Sequence, residues 1–145
     1  MSTGDPAPSA ARPAEDGTLR EASEKLLAQL EVDEQAADAI RMLVLANLAH
    51  PDLGLSYVEK ADEIARRHAY PYAQAVCHAM RFYFLYATDV VRAIDENEAA
   101  RRIIRAVPDY THTPAYLSIL NNAVLGSSLQ HDYIKRNKEI EDLSF

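Results

Sequence analysis

From Thr18 onward, apolar residues recur at steps of three and four, and no stretch alternates apolar with polar residues over strand length. That periodicity restricts the chain to an all-α fold. Helix-start residues divide it into segments. Thr18 and Glu21 form a capping-box pattern ahead of Leu19, Ala22, Leu26, Leu27 and Leu30. Asp33 is placed to cap a second helix that carries Ile40, Leu43, Val44 and Leu48 and stops at Pro51. Ser56 and Glu59 suggest the start of a third, with Tyr57, Ala61, Ile64 and Ala65 as its buried stripe. Pro71 suits the first position of a fourth helix reaching about Thr88. Asp89 caps a fifth, which turns Val90, Ile94, Ile103, Ile104 and Val107 inward and ends at Pro108. Thr113 and Pro114 open a sixth, and a seventh is expected from near Asp132 to the last residue.

Residues 1–17 stand outside this pattern. They hold Pro6, Pro8, Pro13 and two glycines, with no large apolar residue after Met1. Such a segment buries too little surface to offset its ordering entropy, so a flexible tail is expected. It lacks the basic start and apolar stretch of a secretory signal. The longest apolar run, Phe82 to Ala87, is far too short to cross a bilayer. A formal net charge of -7, without a dense basic cluster, weighs against a nucleic-acid partner. The single cysteine, Cys77, suits a reducing compartment, and the expected location is the cytoplasm. The expected division is a tail over 1–17, a helical interaction domain over 18–131 and a linker helix over 132–145.

Short connections between helices of this length favour antiparallel neighbours. There is also an internal echo. Gly54, Val58 and Ala61 match Ala93, Asn97 and Ala100, and Thr88-Asp89-Val90 recurs as His131-Asp132-Tyr133. The small residues Gly54, Ala61, Ala93 and Ala100 would let helices approach closely. On these residues the chain resembles tetratricopeptide-like helical-repeat proteins of bacterial regulators over Asp33 to Phe145. The resemblance implies antiparallel hairpins stacked as an array. The closing run, Asn137 to Phe145, resembles the signalling helix that enters a GGDEF diguanylate cyclase domain. That resemblance implies an input domain for cyclic-di-GMP synthesis, with any catalytic motif beyond Phe145.

Chemistry within the chain itself is sparse. The histidines His50, His68, His78, His112 and His131 lack ligand spacing, so no metal is expected. Gly4, Gly17, Gly54 and Gly126 stand alone and make no phosphate loop, and Ser127 and Ser128 lack a nucleophile-elbow context. Cys77 reads as an inert core thiol. Asp95 with Glu96 reads as a solvated helix face, and Glu98 with Arg102 as an exposed pair. No cofactor and no catalysis by this chain alone are expected.

The fourth helix is the most informative segment, because it is apolar on two faces and keeps only Gln74, His78 and Arg81 as a polar strip. It is either the centre of the domain or part of an interface. On the second reading Tyr72, Phe82, Tyr83 and Tyr86 line a partner-binding groove, with His78 and Arg81 orienting a protein or peptide segment. In the terminal helix Tyr133, Ile140 and Leu143 have coiled-coil-like spacing, which suits a pairing seam in a homodimer. The leading expectation is a non-catalytic input and dimerisation domain regulating a diguanylate cyclase. The alternative is a freestanding tetratricopeptide-like adaptor, whose last helix would fold back as a solvating cap that buries Ile140 and Leu143.

Overall fold

Prolines set three of the helix starts. In a computed structural model, which describes residues 17–142, Pro51, Pro71 and Pro114 each begin a helix. A missing N–H and a preset φ cost nothing at that position. Among the described residues the six helices are α1 (Gly17–Leu30), α2 (Ala36–Ala46), α3 (Pro51–Arg67), α4 (Pro71–Leu85), α5 (Val90–Ile104) and α6 (Pro114–Asp142), with a 3-10 turn at Tyr110–His112 before α6. They pack largely as sequential antiparallel neighbours, with no repeat assigned.

Three helix starts differ from the sequence reading. α3 starts at Pro51, not Ser56, because the helix propagates through the supposed capping box from the proline. Asp33 accepts a hydrogen bond from the Gln35 N–H at 3.0 Å, but α2 starts later, at Ala36. The sixth and seventh helices are one. Asp132, near which a seventh helix is expected to start, lies inside the continuous α6. Asp89 itself caps α5 as expected, accepting from the Arg92 N–H at 3.1 Å.

α4 is the centre. It packs most extensively on α5, then on α3, and also touches α2 and α6. Ala73, Ala75, Val76, Cys77, Ala79, Met80 and Phe82 are all buried along it. The two matched triplets flank it: Gly54, Val58 and Ala61 on α3 and Ala93, Asn97 and Ala100 on α5 are all buried. Small side chains there let the helices close on α4. A Cβ on Gly54 would sit 2.6 Å from the Phe84 ring. On the other side, a Cβ on Gly126 would meet Ile94 at 3.0 Å and Phe82 at 3.4 Å. Two buried amides add direction to this contact. Asn122 donates to the Ala79 carbonyl and to Asn97 Oδ1, each at 3.1 Å, while Asn97 donates to the Ile119 carbonyl at 3.0 Å. In an apolar setting an unmet amide is costly, so these bonds fix the rotation of α6 against α4 and α5.

The reversal from α3 into α4 is a Schellman turn. Ala69 adopts φ 55°, the Ala69 N–H donates to the Arg66 carbonyl at 3.1 Å, and the Tyr70 N–H donates to the Ala65 carbonyl at 2.8 Å. A left-handed alanine carries a Cβ penalty that glycine avoids. Ala69→Gly is therefore expected to raise stability by about 1 kcal/mol in urea titrations.

At the same end, Glu31 just past α1 clasps α3. Its carboxylate accepts from Arg67 at 2.7 and 3.0 Å and lies 2.8 Å from His68 Nε2. These hydrogen bonds, from Arg67 first and then His68, lower the Glu31 pKa from 4.5 to about 2. A depressed folded pKa means the clasp stabilises fully above 4.5 and is lost as pH falls toward 2. The site is exposed, so the effect is small and weakened by salt. Glu31→Gln should flatten this part of the acid limb, seen as a smaller drop in urea midpoint between about pH 5 and about pH 3 than in the unaltered chain.

Candidate interaction site on the projecting helix

The polar strip of α4 does not face solvent. Arg81 is 8% exposed and anchors an ionic cluster between α3, α4 and α5. Its guanidinium reaches Asp62 at 2.6 Å, Glu96 at 3.4 Å and Glu59 through both Nε and Nη2. His78 Nδ1 lies 2.7 Å from the same Glu96 oxygen. Burial opposes the charge on Arg81, but the bonds from Asp62 and Glu59 outweigh it and raise its pKa. Asp62 is 2% exposed, and among the described residues its Oδ1 has no hydrogen-bond partner. Arg66, at 3.4 Å from Asp62, is the second cation at this carboxylate. Glu96, expected on a solvated face, is thus half-buried and holds α5 to α4. Glu98 pairs with Arg101 at 3.5 Å, one residue earlier than the pairing with Arg102 read from the sequence.

Tyr72 is also buried in a polar junction. Its hydroxyl donates to Asp38 at 2.5 Å and accepts from the Ala115 N–H at 3.2 Å, joining α2, α4 and the start of α6. Desolvation, then the Asp38 carboxylate, raise its pKa. Beside it, Glu34 accepts from the Tyr72 N–H at 2.9 Å and the Ala73 N–H at 3.3 Å. Tyr70 offers α4 no side-chain cap, so a carboxylate from outside the helix satisfies its first N–H groups. Cys77 is buried, and burial first and Asp62 second push its thiol pKa up, which leaves it unreactive.

The aromatic stripe is therefore graded in depth. Phe82 is fully buried, Tyr83 half-buried and Tyr86 exposed. Phe82 stacks with Tyr86 at 5.8 Å and meets Tyr83 edge-on at 5.7 Å. On the monomer, Tyr86 is the member of the stripe most open to a partner. It lines a cleft of about 420 Å³ with Val90, Val91, Leu129, Tyr133 and Arg136, so the fold brings together two residues singled out on separate helices, Tyr86 and Tyr133.

The roof of that cleft is α6. Over its first half, Ala115, Ile119, Asn122 and Gly126 are buried against the domain. From 131 to 142 every residue is exposed, so the helix projects past the body. Ile119, Gly126, Tyr133 and Ile140 are spaced by seven, so they share one face. The proposed seam is the continuation of the buried face beyond the domain edge, with Tyr133 56% and Ile140 57% exposed. Leu143 lies outside the described residues. Among the described residues no cluster of His, Cys, Asp or Glu could hold a metal, and no helix is long and apolar enough to cross a membrane.

Comparison with protein-family profiles, with curated proteins and with solved structures finds no match to this chain. The site rests on its own geometry. Sequence reasoning passed over Asp62 and Glu34 because a carboxylate on a helix is ordinarily solvated. The pairings that hold them join residues 19 and 38 positions apart.

Removing Arg81 leaves Asp62 in the core with Arg66 as its remaining cation. Arg81→Met is expected to cost about 3–5 kcal/mol in chemical denaturation, and adding Asp62→Leu should recover most of that loss.

Proposed function

We propose that this chain is a non-catalytic helical input domain whose α6 helix carries a change of state to an attached diguanylate cyclase. The observation that supports this reading is the projection of α6. An adaptor's terminal helix would fold back over the last hairpin, whereas residues 131–142 are all exposed, border the body only at the cleft lined by Tyr133 and Arg136, and carry the domain's buried face outward. Such a helix can pair with a second copy through Tyr133 and Ile140, and its rotation would change how two cyclase domains face each other. The cyclase as output comes from the resemblance of Asn137 to Phe145 to a cyclase entry helix.

The cleft beneath α6 gives the domain a place to receive an input. An occupant seated against Tyr86, Val91 and Tyr133 touches the α4–α5 turn and the exit helix at once, so its binding energy can bias the position of α6. The same cleft supports the second reading, an adaptor that binds a protein or peptide segment at Tyr86.

A chimera tests the first reading. The chain is joined through Phe145 to a cyclase domain lacking its own input, and cyclic-di-GMP formation is measured. One residue inserted after Lys138 turns the exit helix by about 100°, while seven restore its face. Activity that changes with the one-residue insertion and returns with the seven-residue insertion is expected. Equal activity with and without the domain would remove the cyclase reading. Under the adaptor reading, Tyr86→Ala abolishes partner capture while the insertions have no effect.

A further inference from the structure

Three charged side chains line the cleft beneath the end of α6: Asp89, Asp132 and Arg136. Asp89 is already engaged, because its carboxylate accepts from the Arg92 N–H at 3.1 Å and caps the positive end of α5. Thr88 beside it donates to the Leu85 carbonyl at 3.5 Å. Asp132 and Arg136 are different. They stand four residues apart on α6, in the order that ordinarily pairs along a helix surface. Among the described residues, neither makes an ion pair or a hydrogen bond. The nearby charges Arg92, Lys135 and Glu139 are exposed and do not line the cleft. The cleft therefore holds one free carboxylate and one free guanidinium, a helical turn apart, beside apolar walls of Tyr86, Val90, Val91, Leu129 and Tyr133.

We propose that this cleft binds a free α-amino acid with an apolar side chain. A carboxylic acid alone would set its charge beside Asp132, and an amine alone would set its charge beside Arg136. A zwitterion meets both residues with the opposite sign. Its carboxylate takes the planar fork of Arg136, and its ammonium donates to Asp132. In an α-amino acid both charged groups leave one carbon, which fits two side chains that project from one helix face a turn apart. The cleft volume of about 420 Å³ falls within the range of small-molecule sites, about 300–1,000 Å³, and exceeds what the charged end alone fills. The remaining space is walled by Tyr86 and Tyr133, by the two valines and by Leu129, which suits a large aliphatic or aromatic side chain. Asp132 and Arg136 are exposed, so water and salt screen their charges and the binding is weak. This assignment rests on the reading of the cleft as the place that receives an input, and supplies its ligand.

Isothermal titration calorimetry of the whole chain with L-phenylalanine and L-leucine at millimolar concentration tests the ligand. Both should bind, and glycine should bind more weakly. N-acetyl-L-phenylalanine, which lacks the ammonium, and L-phenylalaninamide, which lacks the carboxylate, should each lose affinity by about tenfold or more. Asp132→Asn and Arg136→Gln, both at exposed positions and checked for folding by circular dichroism, should weaken L-phenylalanine to a similar extent. Lys135→Gln, which removes a charge from the same helix outside the cleft, should bind like the unaltered chain. No binding of either amino acid, glycine bound as tightly as leucine, equal binding of the acetylated or amidated compound, or a loss in Lys135→Gln as large as in Arg136→Gln would each overturn the proposal. The chimera keeps the two readings apart. Amino-acid binding without any response of cyclic-di-GMP formation to the insertions would remove the cyclase reading and leave the ligand. A response to the insertions without amino-acid binding would do the reverse.

Discussion

A helix buried on nearly every side must have its polar side chains met by its neighbours, and in this protein that helix is α4. Arg81 is the decisive case. A guanidinium removed from water costs several kcal/mol unless its donors are matched, and it is matched by carboxylates from α3 and α5 together. Those two helices are thereby fixed at the depth and rotation that also bring Gly54, Ala61, Ala93 and Ala100 into the core. Hydrophobic burial supplies most of the driving force for the bundle, but apolar faces tolerate sliding. The ion cluster and the Asn97–Asn122 clamp do not, because a small displacement leaves a buried charge or amide without its partner.

α6 follows from the same constraint. The amides of Asn97 and Asn122 set its rotation, and Gly126 sets how near it lies to Phe82 and Ile94. Once its first half is fixed, helical continuity fixes the second, since nothing in the sequence breaks the helix between Gly126 and Asp142. The buried face is carried into solvent past the edge of the domain, and the opposite face presents an uncharged ridge. A single helix thus offers two surfaces with different chemistry: an inward one roofing the cleft at Tyr86, and an outward one lined by Leu117, Leu120 and Val124. Tyr133 and Arg136 belong to both the cleft and the projecting segment.

Sequence alone determined the helical class, most helix starts, the apolar stripes and the small-residue triplets. These depend on interactions within a few residues: a proline's preset φ, the Asp89 cap, the three-and-four spacing of core side chains. It left open whether the aromatic stripe of α4 was core or surface, because an apolar residue looks the same in either place. Tertiary structure decided that by surrounding the helix, burying Phe82 and leaving Tyr86 at the rim of a cleft. It also decided the roles of Arg81, Asp62, Glu96 and Glu34, which the sequence presents as ordinary charged helix positions. Their partners lie many residues away, and the free energy of a buried charge is set by which groups surround it, a property that no local pattern encodes.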